Sequence, residues 1–234
     1  MIIKEIRKEL KGNVDSAYKD GCFRYSKEKI RLHGVRAQKT REISRKYFKQ
    51  LKCKDKKKVF LLCEELLESD FSEEKTIAFD WAFRLRKQYE NKDFNTFERW
   101  LKKYVWDWAS CDNFCTHAFG ELIRQYPELI LKFKSWAFSG NMWLRRASAV
   151  IMIPLVRKKE YLSIVFEIAD ILLVDKEDLV QKGYGWMLKE ASNVYPKEVF
   201  AFVMKNKDVM PRTALRYAIE KYPQNLRQKA MGKR

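Results

Sequence analysis

The sequence predicts an all-α protein built as a helical-repeat solenoid, and three observations lead to that fold class. Only 8 glycines and 5 prolines occur in 234 residues, so few residues interrupt helices and the turns should be short. Apolar residues recur at helical spacing, as in the run from Val59 to Leu67. Tyr-Pro pairs recur at 126–127, 195–196 and 222–223, each where one predicted helix gives way to the next.

A weak internal periodicity supports the repeat. Trp108, Trp143 and Trp186 lie 35 and 43 residues apart, near the roughly 40–47 residues of two-helix repeats. Stacked helix pairs form a curved solenoid, whose concave side could hold a duplex against a basic lining. A compact irregular helix bundle is the alternative. We expect residues 1–234 to form a single domain.

Each helix follows from an apolar face bounded by caps or breakers. The first 30 residues predict short amphipathic helices broken at 13–16 and 20–21, and a turn centred on Gly34 follows. Pro154 predicts a kink or an early stop within an apolar run. Further helices are expected at about 38–52, 55–67, 72–85, 94–105, 110–125, from 127, from 142, and at 160–174, 176–194, 197–205 and 211–221.

The segment 106–114 combines tryptophans and aspartates in a basic chain. Ser110 is expected to cap a helix, which would place Asp112 in its first turn, where the helix dipole favours a carboxylate. Trp108 lies just before that cap. An aromatic face beside a carboxylate suits a flat, cationic ligand. The alternative is that the tryptophans are core residues and Asp112 is an ordinary acid at a helix start.

The composition indicates the kind of partner. Hydrophobic residues make up 46% of the chain, which indicates a globular protein, and Lys and Arg outnumber Asp and Glu by 49 to 31. This net charge of +18 favours nucleic acid as the partner. An anionic membrane surface is the competing partner, but the chain lacks the apolar run of about 18 residues that a membrane helix needs.

The termini and cysteines predict a cytoplasmic protein. The first seven residues are too charged for a signal peptide. Five cysteines form an odd set without framework spacing, so reduced thiols are expected. Cys111, Cys115 and His117 make a poor metal set, and neither His33 nor His117 has support as the base for a cysteine nucleophile. No metal and no cofactor are expected.

Basic residues cluster in two places. Residues 31–58 carry 12 Lys or Arg and two acids, and residues 211–234 carry seven Lys or Arg and one acid. These stretches are expected to contact the phosphate backbone, and Gly34 would let a ligand approach the chain closely. The alternative for residues 31–58 is a solvated surface.

Three motifs are the most specific parts of a resemblance to a known family: WASCD at 108–112, NMWLRRA at 141–147 and QKGYGWMLKE at 181–190. With these motifs the chain resembles the AlkD-type family of DNA glycosylases, which build a DNA-binding cleft from HEAT-like repeats. The resemblance runs from the turn at 33–36 to the helix at 212–222. The chain departs from the family pattern at Ala109, where the family has a second acid, and at Arg36, where a polar amide can occur.

The resemblance implies hydrolysis of the N-glycosidic bond of N3- and N7-alkylated purines in duplex DNA by a monofunctional enzyme. It implies Asp112, Trp108 and Trp186 as the catalytic residues. Arg146 is expected to hold a phosphate, and further DNA contacts are expected at the residues Arg36, Gly34, Lys182 and Arg212. We expect a monomer that binds alkylated double-stranded DNA and no membrane. We also expect Trp81, Trp100, Trp136 and Trp143 in the core, while Trp106 stays undecided.

A different class of function is the alternative. HEAT-like repeats also build scaffolds that bind DNA or acidic proteins without catalysis, because fold does not imply function. Asp112 argues against this alternative, since a carboxylate in a basic cleft repels phosphate. Another lesion, such as a bulkier adduct or a crosslink, is a milder alternative.

Overall fold

The computed structural model describes residues 2–25 and 30–232. The predicted all-α class is confirmed: in these residues the only β-type pairing is an isolated bridge between Arg31 and Phe71. The α-helices of the described ranges are α1 (Ile2–Lys11), α2 (Ser16–Tyr25), α3 (Ala37–Gln50), α4 (Lys56–Leu67), α5 (Ser72–Arg84), α6 (Asp93–Tyr104), α7 (Trp108–Phe114), α8 (Gly120–Gln125), α9 (Ile130–Lys134), α10 (Met142–Val150), α11 (Met152–Val156), α12 (Leu162–Ile171), α13 (Asp178–Ser192), α14 (Pro196–Asn206), α15 (Arg212–Ala218) and α16 (Gln224–Met231).

The chain divides into two compact units, residues 1–122 and residues 123–234. In the first unit α5 is the central helix, and it packs against α3, α4 and α7. Its apolar side chains are buried because they recur at helical spacing, and Trp81 is fully buried with its indole N–H donated to the Ser44 carbonyl. Phe97, Trp100 and Phe114 form an aromatic cluster beside it.

In the second unit α13 is central and packs against α10, α12, α14 and α15. A Cβ at Gly185 would lie 2.7 Å from the Tyr217 Cβ and 2.9 Å from the Ala214 carbonyl oxygen. A Cβ at Gly183 would lie 3.2 Å from the Arg146 Cγ. These two glycines therefore allow α10 and α15 to pack closely against α13.

The Tyr-Pro pairs mark helix starts, as predicted. Pro196 is the first residue of α14, where its missing N–H costs no hydrogen bond. Pro223 directly precedes α16. The Tyr222 hydroxyl donates to the Pro196 carbonyl at 2.7 Å, so this hydrogen bond joins the Tyr-Pro pair at 222–223 to the pair at 195–196.

The details around three special residues differ in outcome. The predicted break at Gly21 is wrong, because a single glycine lowers helix stability without ending α2. The apolar run around Pro154 stops early as predicted, since α10 ends at Val150 and Pro154 lies in the first turn of the short α11. The helix expected after Pro223 is α16, whose bounds were not predicted because its sequence is polar.

The tryptophan spacing does not mark equivalent positions. Trp108 is the first residue of α7, Trp143 the second of α10 and Trp186 the ninth of α13. The predicted core tryptophans are confirmed, since each is at most 6% exposed: Trp81, Trp100, Trp136 and Trp143.

Candidate functional site

Helix α7 carries Trp108 and Asp112, and Asp107 caps it. The Asp107 backbone is extended, its Oδ1 accepts the Ser110 N–H at 2.8 Å, and its Oδ2 accepts the Ser110 hydroxyl at 2.7 Å. The predicted cap at Ser110 is therefore wrong. A carboxylate three residues before the N–H offers two acceptor oxygens and takes both donors of Ser110. Asp112 is the fifth residue of α7, beyond the first turn.

The residues around the cap alternate between exposed and buried. Trp106 is 51% exposed and Trp108 is 38% exposed, whereas Asp107 between them is 4% exposed. Adjacent side chains of an extended backbone point to opposite sides, so burial of Asp107 turns both indoles outward. Trp106, which the sequence left undecided, is therefore a surface residue.

A pocket of about 460 Å³ opens beside α7 within the first unit. Helix α2, the segment after residue 30, α3 and the start of α5 also contribute to its wall. The lining residues between Trp108 and His117 recur at helical spacing, so they lie on one side of the helix. The indole of Trp108 and the carboxylate of Asp112 therefore line the same pocket, as the sequence predicts. The α7 side is lined by Trp108, Ala109, Asp112, Asn113, Thr116 and His117.

Helix α7 continues directly into a π-helical turn at Cys115–Phe119. Two side chains at this turn form hydrogen bonds to backbone carbonyls of α7. The Thr116 hydroxyl donates to the Asp112 carbonyl at 2.7 Å, and His117 Nδ1 lies 3.0 Å from the Asn113 carbonyl. Because a carbonyl can only accept, Nδ1 carries the proton. Such π turns are frequent at functional sites.

Glu73, in the first turn of α5, holds the turn around Gly34. Its Oε1 accepts the N–H groups of Gly34 and Val35 at 2.7 and 2.9 Å, and its Oε2 accepts that of His33 at 3.0 Å. Gly34 has φ +99°, a conformation that glycine adopts without strain. The close approach predicted at Gly34 is therefore made to Glu73 of the same chain, and a DNA contact at Gly34 stays a prediction.

Glu74 binds two side chains from other parts of the first unit. It accepts hydrogen bonds from His33 Nε2 and Arg7 Nε, both at 2.9 Å. Burial alone would raise the pKa of this carboxyl group, but the bonds from His33 and Arg7 outweigh burial, and the pKa lies below its usual value. The His33 ring also stacks on Phe71 at 3.9 Å between centroids.

Lys75 connects α5 to the start of α7. Its ammonium group is 2.6 Å from Asp70 Oδ1 and 3.9 Å from Asp107 Oδ2, and its side chain is 3% exposed. Burial of a lysine requires such partners. Sequence reasoning missed residues 73–75, because acids and a lysine at a helix start usually face solvent and no local signal marks them as buried.

Arg36 is exposed at the end of the Gly34 turn. Its Nε donates to Asp15 Oδ2 at 2.7 Å. The pKa of Asp15 is lowered, first by the backbone N–H of Tyr18, which it caps, and then by Arg36. Neither Arg36 nor Gly34 belongs to the pocket wall described above, although Val35 and Ala37 do.

The other predicted site residues lie in the second unit. Trp186 is half-buried, and its indole N–H donates to Glu190 Oε1 at 3.0 Å. Burial would raise the pKa of Glu190, but hydrogen bonds from Arg157 and Trp186 lower it. Trp186 is therefore held in one orientation without being a core residue, and its role at a substrate stays a prediction.

Arg146 and its neighbour Arg145 face different surroundings. Arg146 is 4% exposed and donates to the Leu179 carbonyl. Arg145 instead binds Asp175, to which its Nε donates a hydrogen bond at 2.6 Å. The phosphate contact of Arg146 stays a prediction.

Lys182 and Arg212 make ordinary local contacts. The Lys182 Nζ lies 2.7 Å from Oδ2 of Asp178, which is one helical turn earlier in α13. Arg212 is exposed, and its guanidinium donates to the Met231 carbonyl at 3.2 Å. Both remain predicted DNA contacts.

Across the described ranges, no helix is long and apolar enough to cross a membrane.

Comparisons with known proteins show the fold and the family of this chain. The family model of DNA alkylation repair enzymes matches residues 6–222. A solved structure, described as a predicted DNA alkylation repair enzyme from Enterococcus faecalis, aligns with a TM-score of 0.74 at 18% identity, over 83% of this chain and 90% of that one. This likeness shows a shared all-α helical-repeat fold. A search among curated proteins found no match. Because the family model spans nearly the whole sequence, this chain belongs to the family of DNA alkylation repair enzymes.

Proposed function

We propose that the chain is a monofunctional DNA glycosylase that hydrolyses the N-glycosidic bond of cationic N3- and N7-alkylated purines in duplex DNA. The observation that carries the proposal is the pairing of Trp108 and Asp112. They are the first and fifth residues of α7, which puts them on one side of the helix. Both line the same pocket, in a chain with a net charge of +18.

The chemistry requires one carboxylate. An alkylated purine is already cationic, so it leaves with the electrons of its bond to C1′ and needs no general acid, unlike the leaving group in two-carboxylate glycosidases. Positive charge then develops on the sugar. The Asp112 carboxylate stabilises that charge and orients the attacking water.

The aromatic residues hold the reacting nucleotide. The exposed ring of Trp108 contacts the deoxyribose, and its negative face favours the developing cation. Trp186, held by Glu190, contacts the sugar or backbone, and Arg146 binds a phosphate. No lysine is assigned as a nucleophile, so neither a Schiff base nor strand cleavage is expected.

Negative charge in the pocket fits a cationic substrate. Three carboxylates line it, from the residues Glu73, Asp107 and Asp112. A protein that only binds phosphates gains nothing from acids at its binding surface, because they repel the backbone. The pocket therefore supports an enzyme acting on a cationic lesion over a passive DNA-binding scaffold.

The first test is release of methylated bases from methylated duplex DNA by the wild type and by Asp112→Asn. The substitution keeps the shape and removes the charge, so we expect the wild type to free 3- or 7-methylpurines. Asp112→Asn should bind duplex while its release rate falls about a hundredfold or more. Asp170→Asn, an exposed position on α12 outside the pocket, is the matched control and should keep the wild-type rate.

The results separate the two functions. If the wild type binds duplex and frees no base, the glycosylase proposal is wrong and the scaffold alternative takes its place. If Asp112→Asn keeps the full rate, the enzyme is retained and the role of Asp112 is wrong.

A further inference from the structure

Helix α3 contributes a cation to the pocket beside Asp112. Ala37, Thr40 and Arg41 line it at spacing i, i+3 and i+4, which is one side of a helix. Among the described lining residues, Arg41 is the only lysine or arginine. It lies in the second turn of α3 and is exposed.

The Arg41 guanidinium has no ion pair or hydrogen bond in the described part of the chain, unlike several nearby cations. Arg36 binds Asp15 at 2.7 Å, Lys39 lies 3.7 Å from Glu42, and Lys46 binds Glu9 at 2.5 Å. A guanidinium at a pocket wall that has no partner among the described residues can bind an anionic group of a ligand.

Two pocket acids do not pair with Arg41, because other groups already bind them. The Glu73 carboxylate accepts three backbone N–H groups from the turn around Gly34. The Asp107 carboxylate accepts both donors of Ser110 and lies 3.9 Å from Lys75. Within the described residues, Arg41 therefore shares the pocket with these two carboxylates without pairing with either.

This arrangement matches the charges of an alkylated nucleotide, which carries a positive base beside negative phosphates. Resting on the proposed function, we propose that Arg41 binds a phosphate flanking the alkylated nucleotide while Asp112 faces its sugar. The planar guanidinium matches two phosphate oxygens, which fixes the backbone as well as attracting it. Arg41 thereby positions the scissile bond and adds a phosphate contact to those expected from the resemblance.

Arg45 provides a matched control. It lies one turn further along α3, is exposed, has no ion pair or hydrogen bond among the described residues, and does not line the pocket. A general effect of lost positive charge would appear equally in Arg41→Ala and Arg45→Ala. A contact with one phosphate of the lesion would appear in Arg41→Ala alone.

The experiment measures binding to duplexes that carry a non-hydrolysable cationic sugar analogue. Each phosphate flanking the analogue is replaced in turn by a neutral methylphosphonate. We expect Arg41→Ala to weaken binding to the unmodified backbone about tenfold or more and to lower the salt slope by about 0.9. At one methylphosphonate position, wild type and Arg41→Ala should bind equally. Arg41→Lys should restore only part of the affinity, because an ammonium group does not match two oxygens.

For Arg45→Ala, the loss should be the same on every backbone. The proposal is wrong if Arg41→Ala shows the same loss with and without each methylphosphonate. Base release by the wild type from methylated DNA is measured alongside. If it releases no base, the glycosylase function fails whatever Arg41 does. If it releases base and Arg41→Ala couples to no phosphate, only the role of Arg41 is wrong.

Discussion

Glu73, Glu74 and Lys75 show how single residues organise the first unit. They are consecutive and at most 5% exposed. Glu73 and Glu74 both bind His33, Glu74 also binds α1, and Lys75 binds the residue that caps α7. Buried charges of this kind add little net stability, because desolvation offsets their attraction, but removing one partner is costly. Their main effect is therefore on position. They hold the Gly34 turn, α1 and the start of α7 against the first turn of α5.

Glu74 gives a stability prediction with a defined pH dependence. Its pKa in the folded protein lies below the ordinary value of 4.5, so its stabilisation is present above that value and is lost as pH falls through the lowered pKa. We expect Glu74→Gln to lower the free energy of unfolding by about 1–3 kcal/mol at neutral pH. In urea unfolding, the difference from wild type should shrink in acid below about pH 4.5.

Glu65→Gln is the control for that measurement. Glu65 lies near α1, but its side chain is exposed and makes no ion pair within the described residues. It should unfold like the wild type at every pH. A Glu74→Gln loss that is equally large at neutral and acid pH would contradict an ionic role.

At the scale of elements, helix positions follow from local sequence while helix contacts depend on what can approach. Helix α13 is central to the second unit because Gly185 lets α15 come close. Helix α2 contains Gly21, where an added Cβ would meet nothing within 4 Å. The same residue type therefore has opposite structural meaning in the two helices.

These two glycines provide an opposed pair of predictions. Gly185→Ala should lower the free energy of unfolding by about 1–3 kcal/mol, because its Cβ meets the Ala214 backbone, which cannot move easily. Gly21→Ala should raise it by about 0.5–1 kcal/mol, because alanine favours the helix. Urea unfolding measures both. Equal shifts of the same sign would contradict the packing described at Gly185.

At the scale of the whole molecule, charge dominates. The chain has 49 Lys and Arg against 31 Asp and Glu, so a net charge of +18 would remain even if every acid were paired. Residues 31–58, with 12 basic residues and two acids, carry much of this excess. Such a charge attracts polyanions without reading sequence, and the attraction weakens as salt competes. Selectivity for a lesion must then come from the pocket, where the carboxylates are.

The charge predicts steep salt dependence. Binding of wild-type protein to unmodified duplex should weaken about a thousandfold between 50 and 200 mM salt, as for six or more phosphate contacts. Fluorescence anisotropy of a labelled duplex measures this. Vesicles with anionic lipid are the comparison, and binding to them as tight as to duplex would contradict nucleic acid as the preferred partner.

Much of this protein could be predicted from sequence, because helices, caps and helix sides are local properties. The 3.6-residue period located most of the helices and the core tryptophans. The spacing of Trp108 and Asp112 was enough to put an indole and a carboxylate on one side of a helix. The bounds of polar α16 were not predicted, because it lacks an apolar pattern.

The tertiary structure decided what depends on distant partners. Ser110 and Asp107 are both good caps three residues apart, and burial of Asp107 beside Lys75 selected Asp107. From the sequence, the N–H groups around Gly34 were candidates for binding a ligand. In the structure they donate to Glu73, which lies 39 residues away from Gly34 along the chain. In the sequence, nothing distinguishes Arg41 from the other cations of residues 31–58, whereas in the structure α3 places it at the pocket wall. Sequence periodicity reports which side of a helix a residue occupies, whereas only packing determines what that side meets.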